Sequence, residues 1–202
     1  MNFKGFLCDL WHRVWSVPWS NFRFRHVERH NVGIEPEDVV TSRTAIINLA
    51  KRMFKKFKYT EDGIDQLWDA ICPPPYAYSV MNSKGELRDD CDGFHSLMYH
   101  CMVRNGMEAY LLLVIAKGAG HCVLTFRFHD IWYVLDYDSL YTGYKTLHEA
   151  VESYNASFVQ VYKTKSKVYY NGFLKYNYNK GKFHLVYPLR KEAKDLKEAA
   201  AE

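Results

Sequence analysis

The sequence predicts an α+β fold, with helices first and an antiparallel sheet after them. Three observations predict it. Apolar residues recur at helical spacing in segments up to residue 105. From residue 109 onward the apolar runs shorten and become rich in Val, Leu, Phe and Tyr, as strands do. The first three of these runs are joined by tight connections, which suit hairpins rather than parallel crossovers.

Each element follows from local pattern. Phe3, Phe6, Leu7, Leu10, Trp11, Val14 and Trp15 form an aromatic helical stripe that Pro18 ends. The stripe reads first as a packing face and second as a contact for a partner or a membrane surface. Residues 20–40 read as irregular, with a basic patch of Arg23, Arg25, His26, Arg29 and His30. Thr41 or Ser42 caps a helix carrying Ile46, Ile47, Leu49, Ala50, Met53, Phe54 and Phe57. A short helix starts at Thr60–Asp62 with Ile64, Leu67, Trp68 and Ile71 inside it. Cys72-Pro73-Pro74-Pro75 stops it, and residues 73–88 are expected to be a loop. Residues 91–105 read as a helix with Gly106 past its end. Strands are expected over Ala109–Ala116, Cys122–Phe128 and Ile131–Asp136, with a tight turn at His129-Asp130. Thr146 and Glu149 form a capping box for a helix to about Tyr154. Ser157–Lys163, Lys167–Tyr170 and Phe183–Tyr187 are further strands, with a turn signal at Asn171-Gly172. The expected organisation is an N-terminal segment 1–40, a main domain 41–189 and a charged tail 190–202.

Composition bounds the function. The 202 residues are 48% hydrophobic and 16% aromatic, which excludes disorder throughout and implies a bulky core. No apolar run is long enough to span a bilayer, and Met1–Trp19 is broken by Lys4, Asp9, His12 and Arg13, unlike a secretory signal. Five scattered cysteines suit reduced thiols, so a cytoplasmic setting is expected. Residues 1–60 carry +6, residues 61–159 carry −8 and residues 160–202 carry +6. This reads first as complementarity between segments and second as basic flanks for an acidic partner.

Chemistry concentrates at three positions. Cys91 opens the 91–105 helix, where free N–H groups and the helix dipole favour a thiolate. Asp89, Asp90 and Asp92 oppose that effect, so a basic partner is needed. His121, beside Gly118 and Gly120 at the start of a strand, supplies it. With a two-residue turn at His129-Asp130, period-two alternation puts His121, Val123, Asp136 and Asp138 on one face. Asp136 is then the diagonal neighbour of His121 and Asp138 the direct one, and either carboxylate would orient the imidazole. The order Cys, His, Asp is that of a nucleophile, a base and an orienting acid.

Asp90-Cys91-Asp92-Gly93-Phe94, His121-Cys122-Val123-Leu124 and Trp132-Tyr133-Val134-Leu135-Asp136 resemble the transglutaminase-like cysteine peptidase family, in its bacterial branch. The upstream layout of Asn48, Phe54, Phe57, Tyr59, Asp62 and Trp68 is similar too, and the resemblance spans roughly residues 45–140. It implies a papain-like fold, a Cys91–His121–Asp136 triad, a polypeptide substrate and no cofactor. It departs from the family pattern at Gly93, Cys122 and Tyr137. It also implies an oxyanion hole made by the Cys91 backbone N–H and a Gln, Trp or Tyr donor, for which Gln66, Trp68, Tyr76 and Tyr78 are available. Secreted relatives bind calcium near the nucleophile. Here Asp89, Asp90 and Asp92 read as solvated acids, and no metal is expected.

Other classes fit less well. Zinc lacks a C-x-x-C or H-E-x-x-H motif, and His95 and His100 do not share a helix face. Phe22-Arg23-Phe24-Arg25 and Lys175-Tyr176-Asn177-Tyr178 interleave base and ring as nucleic-acid binders do, but half-buried strands give the same pattern. The leading expectation is a thiol acyl-transfer enzyme that hydrolyses peptide or isopeptide bonds. The alternatives are a silent papain-like module docking through residues 1–40 to a larger assembly, a viral or phage one among them, and a cell-wall peptide amidase.

Overall fold

The computed structural model describes residues 34–60, 72–116, 119–153, 158–164, 173–177 and 182–185. After a 3-10 turn at Pro36–Asp38, the elements are α1 (Arg43–Lys56), β1 (Phe57–Tyr59), α2 (Pro74–Lys84), β2 (Leu87–Asp89) and α3 (Cys91–Arg104). The strands β3 (Glu108–Ala116), β4 (Ala119–Phe128), β5 (Ile131–Asp136) and β6 (Ser139–Tyr144) follow. Then come α4 (Leu147–Glu152), β7 (Phe158–Thr164), β8 (Phe173–Asn177) and β9 (Lys182–Leu185). The fold is α+β. One sheet has the order β6-β5-β4-β3-β7-β8-β9 with every pair antiparallel, and β1 and β2 form a short parallel pair.

The expected N-terminal stripe, the helix of residues 61–71, the 167–170 strand, the Asn171-Gly172 turn and the 190–202 tail lie outside the described residues. Where comparison is possible, the local rules hold with two exceptions. Ser42 caps α1 by accepting from the Ala45 N–H at 3.1 Å. Thr146 does the same for Glu149, while the Glu149 carboxylate reaches back to the Lys145 N–H at 2.7 Å. His129 and Asp130 both have positive φ, 48° and 62°, which gives a two-residue hairpin that pairs Phe128 with Ile131.

The first exception is the expected loop over 73–88, which is helix α2. The proline run suggests a stop, but proline in a first turn sacrifices no hydrogen bond and presets φ, so Pro74 and Pro75 open the helix. The second is a set of strands that the pattern did not announce: β1, β2, β8 and, most plainly, β6. Gly143, at φ 104°, lies between the pairings Thr142–Tyr133 and Tyr144–Trp132 as a bulge that breaks the alternation.

Alternation sorts the sheet into two faces. Leu111, Cys122, Leu124, Phe126, Tyr133 and Leu135 join Phe94, Leu97, Met98, Met102 and the apolar faces of α1 and α2 in the main core. Leu112, Val114, Val123, Trp132 and Val134 pack beneath Ala150 and Val151 of α4 on the other face. The segment 34–40 is built into the main core. Buried Asp38 takes hydrogen bonds from Arg52 and Tyr78, and Asn105 holds the Val40 N–H at 2.8 Å and the Asp38 carbonyl at 3.0 Å. Helix α3, with twelve of its fourteen residues buried, runs through this core and carries Cys91 at its N-terminus.

Candidate active site

Cys91 emerges where β2 turns into α3. The Asp90 carboxylate caps the helix by accepting from the Asp92 N–H at 2.9 Å, so the first turn is fixed. The Asp89 carboxylate accepts from the Asp90 N–H, and the buried Asp92 carboxylate accepts from the Cys72 N–H. The three carboxylates lie within 4.8 Å of one another, and each has a task in shaping the start of the helix. Gly93 belongs to this arrangement. A Cβ there would stand 2.3 Å from Cβ and 2.4 Å from Cγ of Asp89, so only glycine admits the Asp89 side chain over the first turn. The glycine at this position thus has a steric cause.

The Cys91 sulfur accepts from the Cys122 N–H at 3.3 Å, which sets the thiol against the residue that follows His121. A backbone N–H and the end of a helix both favour a negative sulfur. His121 Nε2 lies 2.9 Å from Asp136 Oδ1. With Asp136 accepting the Nε2–H, Nδ1 keeps the lone pair that a base needs. Both side chains are about one-quarter exposed, 28% and 25%, so the pair is open to solvent and ordered at once. His121 and Asp136 thus meet just past the last ladder pair of the hairpin, Leu124–Leu135, while Asp138 stands exposed in the turn beyond β5.

Aromatic rings surround this group. Tyr137 lies 5.8 Å from the His121 ring, 5.4 Å from Phe54 and 5.6 Å from Phe94. Burial, and next the charge of Cys91, push its phenol well above the ordinary range, so it stays protonated. Burial also pushes the Cys101 thiol far up, which makes it a poor nucleophile.

Of the four oxyanion candidates, Gln66 and Trp68 lie outside the described residues. Tyr78 is not available. It is fully buried in α2, and its hydroxyl is engaged with the Asp38 carboxylate at 2.5 Å and the Glu35 N–H at 2.8 Å. Tyr76 stands exposed in the first turn of α2.

The sequence missed His95. Sequence reasoning considers it only as a zinc ligand with His100, yet it is wholly buried beneath Cys91. Its Nδ1–H donates to the Cys91 carbonyl at 2.6 Å, and its Nε2 accepts from the Tyr137 N–H at 3.0 Å. A polar ring four residues after a helix-opening cysteine was the available signal, because a buried imidazole needs partners for both nitrogens.

A cleft of about 740 Å³ lies elsewhere, lined by Tyr99, Asn105, Tyr110 and Arg127 among others. It sits at the far end of α3, about 20 Å from Cys91 at 1.5 Å per helical residue. Among the described residues no helix is long and apolar enough to cross a membrane. Compared with protein-family models and with curated proteins, the chain matches none.

Proposed function

We propose that this protein is a cysteine-dependent acyl-transfer enzyme of papain-like, transglutaminase-like type, hydrolysing peptide or isopeptide bonds of a polypeptide substrate. The observation that carries this reading is the meeting of His121 Nε2 and Asp136 Oδ1 at 2.9 Å beside a helix-opening cysteine. His121 takes the thiol proton through Nδ1, and Asp136 stabilises the resulting imidazolium. The sulfur attacks the carbonyl carbon. The tetrahedral intermediate collapses to a thioester as His121 gives its proton to the leaving amine. Water, deprotonated by His121, then cleaves the thioester, and the proton returns to the sulfur. The thiols of Cys72, Cys91, Cys101 and Cys122 suit a reducing compartment such as a cytoplasm.

The test is alkylation of the cysteines by iodoacetamide at pH 5.5 and 7.5, read site by site by mass spectrometry. Cys91 is expected to label fastest at both values. His121→Ala is expected to slow it by about 100-fold or more at the lower pH, the scale of a lost acid–base partner. Labelling of Cys91 no faster than Cys101 or Cys122 would overturn the reading in favour of a silent module.

A further inference from the structure

We propose that His95 is a positioning residue that clamps the nucleophile to the acid, holding the first turn of α3 against the end of β5 and reserving Asp136 for His121. This inference rests on the reading of Cys91, His121 and Asp136 as a reacting group. The geometry is that of a neutral ring used at both nitrogens. The Cys91 carbonyl takes the Nδ1–H at 2.6 Å, and a backbone N–H, that of Tyr137, fills the Nε2 lone pair at 3.0 Å. Those two partners assign the tautomer, because a carbonyl only accepts and an N–H only donates.

The two partners belong to the residues that matter most. One is the backbone of the nucleophile itself. The other is the residue directly after Asp136, whose φ of 50° places an aromatic residue in the left-handed region. The clamp therefore spans two elements that meet only through tertiary packing, 42 residues apart in sequence. A displacement of about 1 Å between reacting groups costs rate steeply, by as much as 100-fold.

The tautomer also settles a competition. His95 Nε2 stands 4.0 Å from Asp136 Oδ1, and His121 Nε2 stands 2.9 Å from the same oxygen. A proton on His95 Nε2 would turn it into a second donor facing that carboxylate. Several features keep it off. Burial disfavours the charged ring most strongly. The neighbouring His121 opposes the charge as well, while the Cys91 carbonyl, Asp136 and Asp90 favour it, and the net effect lowers the pKa to about 4. Phe94 and Tyr137 close the remaining sides, with ring centroids at 5.3 and 5.1 Å.

The experiment uses the full chain labelled with ¹⁵N-histidine. Long-range ¹H–¹⁵N spectra between pH 7.5 and 5.5 are expected to find His95 as the Nδ1–H tautomer throughout and neutral His121 as the Nε2–H tautomer. A His95 carrying its proton on Nε2, or titrating across this range, would overturn the clamp. In parallel, His95→Leu is expected to slow Cys91 alkylation at pH 6.5 by up to about 100-fold. His95→Gln, whose Oε1 can take the Tyr137 N–H, is expected to recover part of that loss at an unchanged pH midpoint. A folded His95→Leu protein that labels Cys91 at the wild-type rate would overturn the proposal. If the Leu variant does not fold, the tautomer and the Gln variant still decide. Failure of the triad reading itself has a different signature: wild-type Cys91 would be slow and insensitive to His121→Ala whatever the state of His95.

Discussion

Two acid–ring networks flank the same helix and do different things. In the first, Asp38 is held by Tyr78 and Arg52, with Glu35 and Asn105 completing the set. In the second, Asp136 is held by His121, with His95 beneath it. The residue types are similar, and the surroundings decide the outcome. Asp38 is 1% exposed and Tyr78 is fully buried, so the first network is closed and its proton stays put; burial and Asp38 push the Tyr78 phenol well above its ordinary range. His121 and Asp136 are partly open and stand next to a thiol. An acid beside a ring is thus a structural staple in one place and a candidate proton relay in the other. Exposure and the neighbouring thiol make the difference.

The largest expected effect that separates them is Asp38→Ala. It leaves the buried Tyr78 hydroxyl without its acceptor and Arg52 without its carboxylate, so stability should fall by about 3 to 4 kcal/mol in urea unfolding. Cys91 alkylation in the folded protein should not change. A change in alkylation would mean that the two networks are coupled through α3, and the contrast between them would fail.

Acid should act on the second network. His95 has a folded pKa of about 4 against an ordinary 6.5, so the fold favours its neutral form. Between these values the unfolded chain binds more protons than the folded one, and stability therefore rises with pH. The contribution is fully present above pH 6.5 and is lost as pH falls towards 4, a total on the order of 3 kcal/mol for a wholly buried ring. Subtracting the stability curve of His95→Gln from that of the wild type isolates the effect. Parallel curves over this window would mean that His95 is not held neutral.

How legible the two networks were follows from the range of their contacts. The His121–Asp136 contact was legible because one local feature, the two-residue turn at His129-Asp130, propagates a register along both strands. The choice between Asp136 and Asp138 stayed open, since alternation puts both on one face and only side-chain geometry separates them. His95 was hidden because its meaning depends on the Tyr137 N–H, far away in sequence. The Asp38 network was hidden for the same reason, with partners in α1, α2 and the end of α3. Helix α2 escaped because Pro73-Pro74-Pro75 serves equally as the end of one helix and the start of another, and burial of Pro74, Pro75, Ala77, Tyr78 and Met81 decides in favour of the start. The chemical residues that could be read were those whose neighbours come from one hairpin or one helix end.

The smallest expected effect gives the sharpest separation. Tyr78→Phe keeps the ring, its packing and its 4.6 Å contact with the His100 ring, and removes only the hydroxyl. The lost hydroxyl donates to Asp38 and accepts from the Glu35 N–H, so two hydrogen bonds go together. Asp38 keeps Arg52 as a partner, and the Glu35 N–H lies in a partly exposed segment. Net destabilisation should therefore be about 1 to 2 kcal/mol, near the ordinary worth of such bonds. Tyr78 was also one of the side chains weighed as an oxyanion donor. If its engagement with Asp38 removes it from that role, Tyr78→Phe should turn over any accepted substrate at the wild-type kcat. A drop in kcat of about 100-fold, the scale of a lost oxyanion donor, would instead mean that the hydroxyl leaves Asp38 during the reaction, and the closed network would have to be counted as part of the site.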